Sequence, residues 1–158
     1  MSECSQPLVL FVDDEPRTLS GYRALLRKEA YDILTAGSGQ DALELLGKNR
    51  VDVVISDERM PSMTGSELLE RIHRDYPDIV RIMLTGEASL EVSVRAIKDG
   101  LFRFLSKPIE PDELRRVVAS ALSAKQANVD EPFARQASTR PGFAARRARL
   151  KADESGDA

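Results

Sequence analysis

Four short apolar runs in this chain each end on residues able to carry charge or a hydrogen bond. Leu8–Val12 gives way to Asp13, Asp14 and Glu15, and Val51–Ile55 to Ser56 and Asp57. Ile79–Leu84 gives way to Thr85 and Gly86, and Leu101–Leu105 to Ser106, Lys107 and Pro108. Taken singly, these residues have ordinary explanations. Asp13-Asp14-Glu15-Pro16 can cap a helix, Asp57 can turn the chain, Thr85 can cap, and Lys107 can simply be solvated. Brought together, they can do chemistry. Two like charges about 4 Å apart repel by about 4 kcal/mol at an effective dielectric of 20. Three clustered carboxylates therefore call for a cation or a proton among them. Oxygen ligands with neither His nor Cys favour magnesium, which keeps several waters and leaves room for a phosphate oxygen. Thr85 can donate to a second phosphate oxygen, and Lys107 can pair with a third. That is an aspartyl-phosphate site, with Asp57, the only acid directly after the third strand-like run, as carboxylate nucleophile.

The elements that would position these residues follow from periodicity. With Ile33–Ala36 added, there are five strand-like runs, and the first and third are nearly continuous in branched and aromatic residues. Strands buried on both faces read this way. Helical spacing separates them, with stripes at Leu19, Tyr22, Leu25 and Leu26, at Leu68, Leu69 and Ile72, and at Leu114, Val117, Val118, Ala121 and Leu122. Thr64 stands three residues before Glu67, and Ser38 three before Asp41, which is capping-box spacing. Pro16 and Pro111 suit first helical turns, and Gly100 a helix stop. Alternating strand and helix over residues 7–125 predicts a doubly wound α/β fold: a parallel sheet with helices on both faces. Ligands of such sheets sit beyond the carboxyl ends of the strands, where the charged residues lie.

Composition bounds the rest. The chain has 158 residues, 42% hydrophobic and 31% charged, with a formal net charge of −3. Those totals give no sign of nucleic-acid or membrane binding. Cys4 is the only cysteine, and no apolar run near the N-terminus is long enough for a signal peptide or a span. The expectation is a cytoplasmic globular protein. After residue 125 the composition turns to Pro, Gly and charge. Arg135, Arg140, Arg146, Arg147, Arg149 and Lys151 have no acid among them, and Asp153, Glu154 and Asp157 follow. The expected division is an N-terminal arm at 1–6, a domain at 7–125 and a flexible, partly basic tail or linker at 126–158.

Four stretches together resemble the receiver domain of bacterial two-component response regulators. They are VDDEP (12–16), ISDERMPSMTG (55–65), MLTGE (83–87) and FRFLSKP (102–108). The resemblance covers roughly residues 6–125 and implies a flavodoxin-like five-stranded sheet in the order 2-1-3-4-5. It implies Asp57 as phosphoacceptor, with magnesium held directly by Asp14, Asp57 and the backbone carbonyl of Arg59, and by Asp13 mainly through water. It makes Thr85 and Phe104 the switch hydroxyl and aromatic, and joins Lys107 and Pro108 by a cis peptide bond. The phosphoryl donor implied is a sensor histidine kinase or a histidine phosphotransfer protein. His73, the single histidine, lies on the third expected helix, beside Leu68, Leu69 and Ile72, and not at a strand end.

On this reading the chain is a switch and not an enzyme of metabolism. Phosphorylation would alter the face made by helix 4, strand 5 and helix 5. That face would engage a downstream protein, an effector domain or a second copy of the chain. Arg59 and Glu87 would flank the phosphate, and Gly86 would keep access to it open. Two rivals are a small aspartyl-phosphate phosphatase and a receiver-like module that has lost phosphorylation. Asp13-Asp14-Glu15 fits the first poorly, and the complete set of pocket residues argues against the second.

Overall fold

The computed structural model describes residues 6–86, 101 and 103–130, with side chains to residue 126. Elements run β1 (Leu8–Val12), α1 (Pro16–Leu26), β2 (Asp32–Ala36), α2 (Gly39–Lys48), β3 (Val53–Ser56), α3 (Gly65–Asp75), β4 (Val80–Thr85), β5 (Arg103–Ser106) and α4 (Pro111–Asp130). The helix expected between β4 and β5, with Glu87 and the Gly100 stop, lies outside the described residues. So do Cys4 and most of the basic tail. The last described helix, α4, is therefore the fifth of the expected alternation.

All strand pairs are parallel, and the order is β2-β1-β3-β4-β5, as the resemblance implied. Side chains alternate across each strand, so the sheet buries two separate cores. Val9, Phe11, Val53, Ile55, Ile82 and Leu84 meet α1 and α4 on one face. Leu10, Val12, Val54 and Met83 meet α2 and α3 on the other. Both faces need apolar residues, which is why the first and third strands read as unbroken hydrophobic runs. The helical stripes face these layers: Leu19 and Leu26 of α1 and Leu114, Val117, Val118 and Ala121 of α4 are buried in the first core. Leu68, Leu69 and Ile72 of α3 are buried in the second.

Two charged residues depart from the simple pattern. The third strand begins at Val53 and not at Val51, and Asp52, just before it, works across the strand ends. Its Oδ2 accepts the Leu8 N–H at 2.9 Å, and its Oδ1 lies 3.5 Å from Lys125 Nζ of α4. Arg81 stands inside β4 only 4% exposed, and its guanidinium donates to the Leu69 carbonyl of α3 at 3.2 Å. A charge this deep is tolerable only with partners. At the other end of the sequence, α4 runs to Asp130, five residues past the expected boundary at 125.

Candidate functional site

The register of the sheet sets the site. Val12 pairs with Ser56 in the β1–β3 ladder, so Asp13 and Asp57 leave the sheet side by side. The Asp57 N–H continues that ladder to the Val12 carbonyl at 3.0 Å. Thr85 pairs with Ser106 in the β4–β5 ladder, and the Lys107 N–H reaches the Thr85 carbonyl at 3.0 Å. β1 and β3 flank the point where the strand order reverses, the place where open α/β sheets bind ligands.

Asp13 is 2% exposed. Its Oδ1 accepts the Glu15 N–H at 2.9 Å, which turns the chain into α1, where Pro16 opens the helix. Its Oδ2 meets Lys107 Nζ at 2.7 Å, and the same ammonium lies 3.5 Å from Asp57 Oδ2. Asp57 Oδ1 accepts the Glu58 N–H at 2.8 Å. Asp14 is exposed, yet one oxygen from each of Asp13, Asp14 and Asp57 falls within 4.8 Å of the others. One ammonium against three carboxylates leaves an excess of negative charge, and only oxygen donors face it. Such a set fits a hard divalent cation. The cluster opens into a cleft of roughly 860 Å³ bordered by Thr18, Glu58, Arg59, Met60 and Thr64.

The electrostatics follow from the crowding. Burial disfavours the Lys107 ammonium, but the Asp13 hydrogen bond and charge, with the Asp57 charge, outweigh it and hold its pKa above the usual lysine value. Tyr22 of α1 stacks on Phe11 at 4.6 Å. Burial chiefly pushes its phenol up to about 12; Lys107 opposes this, while Asp13 and Asp57 add to it. Tyr22 is therefore neutral at ordinary pH.

The remaining expected residues fall around this centre. Thr85 is buried at the end of β4. Phe104 pairs with Met83 in the ladder and packs, partly exposed, on the second core. The Lys107–Pro108 peptide is cis. Arg59 borders the cleft, and its expected companion Glu87 lies outside the described residues. A Cβ on Gly86 would meet Lys107 Cβ at 3.9 Å, an ordinary contact, so a methyl group fits there. His73 sits in the last turn of α3, whose N-cap Thr64 borders the cleft, so it is about 12 Å along the helix from that end.

Sequence reasoning gave no role to several residues that hold the site. Ser56 Oγ donates to the Asp57 carbonyl at 2.8 Å. Gly65 comes so close to that carbonyl that a Cβ built on it would overlap the oxygen and lie 2.8 Å from the carbonyl carbon. The start of α3 is fully partnered, against the usual surplus of free N–H groups. Thr64 Oγ1 accepts from Glu67 N at 3.1 Å and Glu67 Oε1 from Thr64 N at 3.0 Å, the capping box expected from spacing. Gly65 N–H donates to the Glu58 carbonyl at 2.9 Å, and Ser66 N–H to the Glu58 side chain at 2.8 Å. Only the capping box had a signal in the spacing; the other contacts join loop and helix in space.

With this geometry in hand, the chain can be set beside known proteins. The profile of the response regulator receiver domain matches residues 9–119. The transcriptional regulatory protein GlrR of Escherichia coli K12 is 37% identical over 123 residues, covering 78% of this chain and 28% of GlrR. The response regulator PilR of Pseudomonas aeruginosa is 32% identical over 127 residues, 80% of this chain and 28% of PilR. The chain thus spans little more than a quarter of these relatives. Among solved structures, the signal receiver domain of an HD domain-containing protein from Pseudomonas fluorescens Pf-5 superposes with a TM-score of 0.76 at 37% identity. It is matched over 99% of its own length and 78% of this chain. A CheY-like receiver domain from Methanospirillum hungatei gives a TM-score of 0.76 at 30% identity, with the same two coverages.

Proposed function

The chain belongs to the receiver-domain family of bacterial two-component response regulators, and from that premise we propose that Asp57 accepts a phosphoryl group from a phosphohistidine on a partner protein. The observation that carries this reading is the convergence of Asp13, Asp57 and Lys107 from three strand ends, with the ammonium at 2.7 Å and 3.5 Å from the two carboxylates. A carboxylate oxygen of Asp57 forms the new bond to phosphorus as the bond to the imidazole nitrogen breaks. The leaving imidazole keeps that electron pair and takes up a proton. Lys107 balances charge on the transferred oxygens, and the Thr85 hydroxyl donates to one of them. Asp13, Asp14 and Asp57, with the Arg59 carbonyl, would hold magnesium, whose charge offsets that of the incoming phosphoryl group.

The product replaces the Asp57 carboxylate by a phosphoryl group carrying about −1.5 to −2 charges, beside the two carboxylates of Asp13 and Asp14. On this reading Thr85 draws toward the phosphate and Phe104 fills the space it leaves, which remodels the face around β5 and α4. Shifting such an equilibrium from 1:99 to 99:1 takes about 5.5 kcal/mol, more than one charge-assisted hydrogen bond gives. Several contacts must act together. The donor is a sensor kinase or phosphotransfer protein in the cytoplasm, and the remodelled face engages a downstream protein, an output domain or a second copy. Residues 7–125 form the switch, 1–6 its N-terminal arm and 126–158 a tail or linker.

Incubation with magnesium and acetyl phosphate tests the acceptor. The intact protein gains one acid-stable, hydroxylamine-labile phosphate, and Asp57→Asn gains none. Equal labelling of Asp57→Asn overturns the assignment.

A further inference from the structure

Glu58 follows the acceptor directly and borders the cleft, yet its carboxylate is not one of the three that cluster there. It is held elsewhere. Glu58 Oε1 accepts the Ser66 N–H at 2.8 Å and the Ser66 hydroxyl at 2.7 Å, both in the first turn of α3. Its own carbonyl accepts the Gly65 N–H at 2.9 Å. Side chain and backbone of Glu58 are thus fastened to the same turn of one helix. The group that gains from this is the Glu58 N–H, which points at Asp57 Oδ1 from 2.8 Å.

We propose that Glu58 is a positioning residue for phosphoryl transfer at Asp57: clasped to α3 through Ser66, it aims its backbone N–H at the acceptor carboxylate. The proposal rests on the reading of Asp57 as phosphoacceptor. The remaining polar groups around the acceptor are already fixed by others. Asp57 N–H is taken by Val12, and the Asp57 carbonyl by Ser56. The direction of the Glu58 N–H depends on the backbone between Asp57 and Gly65, and the Glu58 side chain is a second tether on it. Released, that backbone could turn the N–H away from Oδ1 and leave the acceptor free to rotate. Reaction geometry is sensitive to such slack, because a misplacement of about 1 Å can cost about a hundredfold in rate. A held donor also needs no reorientation as charge develops on the acceptor.

Two substitutions separate a clasp from a charge. Glutamine keeps a carbonyl oxygen able to accept from Ser66 and removes the negative charge; alanine removes both. Phosphorylation by acetyl phosphate in magnesium is followed for the intact protein, Glu58→Gln and Glu58→Ala. Amide exchange at position 58 is followed in the same samples. Glu58→Ala is expected to be about tenfold slower at saturating donor, with half-saturation unchanged and faster exchange at position 58. Glu58→Gln is expected within about twofold of the intact protein on both measures. Ser66→Ala, which loses the hydroxyl bond but keeps the N–H, should fall between. Glu58→Ala at the full rate, or Glu58→Gln as slow as Glu58→Ala, overturns the clasp while leaving the acceptor assignment standing. An intact protein that takes up no phosphate overturns both.

Discussion

Lys107 shows how one side chain ties the pocket together. Its ammonium bridges Asp13 and Asp57, and those carboxylates keep its pKa above 10.5. The linkage has a definite sign. A basic group whose folded value is raised contributes its stability in full below the unfolded value and loses it as pH climbs through the folded one. The pocket therefore keeps its internal cation throughout the neutral range. Tyr31 presents a different case, with no functional excuse on its surface. Its hydroxyl is buried without a hydrogen-bond partner among the described residues. Burial first, then the Glu29 charge, pushes it up to about 12, with Arg115 opposing. A buried hydroxyl left unpaired costs about 1–3 kcal/mol. Tyr31→Phe should therefore unfold in urea at pH 7 with equal or greater stability, by up to about 1 kcal/mol. Between pH 10 and about 12 the intact protein should lose stability that Tyr31→Phe retains, since only the unfolded phenol ionises there. A loss above about 1 kcal/mol at pH 7 would mean the hydroxyl is serving a partner.

At the scale of elements, two glycines make opposite predictions. Gly65 opens α3 against the Asp57 carbonyl, and any Cβ there must push the helix and the Asp57–Glu58 backbone apart. Gly21 lies within α1, exposed, with nothing within 4 Å of an added Cβ. Gly65→Ala should cost about 1–3 kcal/mol by overpacking and slow phosphorylation. Gly21→Ala should add about 0.5–1 kcal/mol through helix propensity and leave phosphorylation alone. Urea unfolding and acetyl phosphate labelling of both variants check this, and similar effects at the two positions would refute it. The contrast also marks what could be read in advance. Strands, helix stripes and the Thr64–Glu67 cap rest on periodicity and local spacing, so the chain itself displayed them. Gly65 appeared only as the last letter of a motif, because its reason is an approach to a residue eight positions away. Glu58–Ser66 has the same separation, and Asp52 reaches to Leu8 and Lys125 across the sheet. Arg81 was absorbed into an apolar run because periodicity does not register a buried guanidinium bonded to a helix carbonyl.

For the molecule as a whole, the sheet has two unlike ends. Charge gathers at the carboxyl ends of the strands, while at the amino ends Asp52 fastens β1, β3, β4 and α4 together. The Asp52 N–H donates to the Leu8 carbonyl at 2.8 Å, and its carbonyl accepts from Val80 at 3.0 Å. Those attachments, with Ala121 and Leu122 in or against the first core, hold α4 up to about Lys125. Deleting residues 127–158 should therefore shift the melting temperature by less than about 3 °C and leave Asp57 labelling intact. A larger drop would place the tail on the domain. The extent of α4 past that attachment has a mechanical meaning. At about 1.5 Å per residue, roughly 21 Å of helix separates Pro111, just beyond the Lys107–Pro108 turn, from Lys125, and about 7 Å continues to Asp130. Such a rod is seated on the first core from Leu114 to Ala121 and tied at Lys125. A tilt of that rod about the Lys125 tie would displace the Asp130 end in the opposite sense, by about a third of the displacement at Pro111.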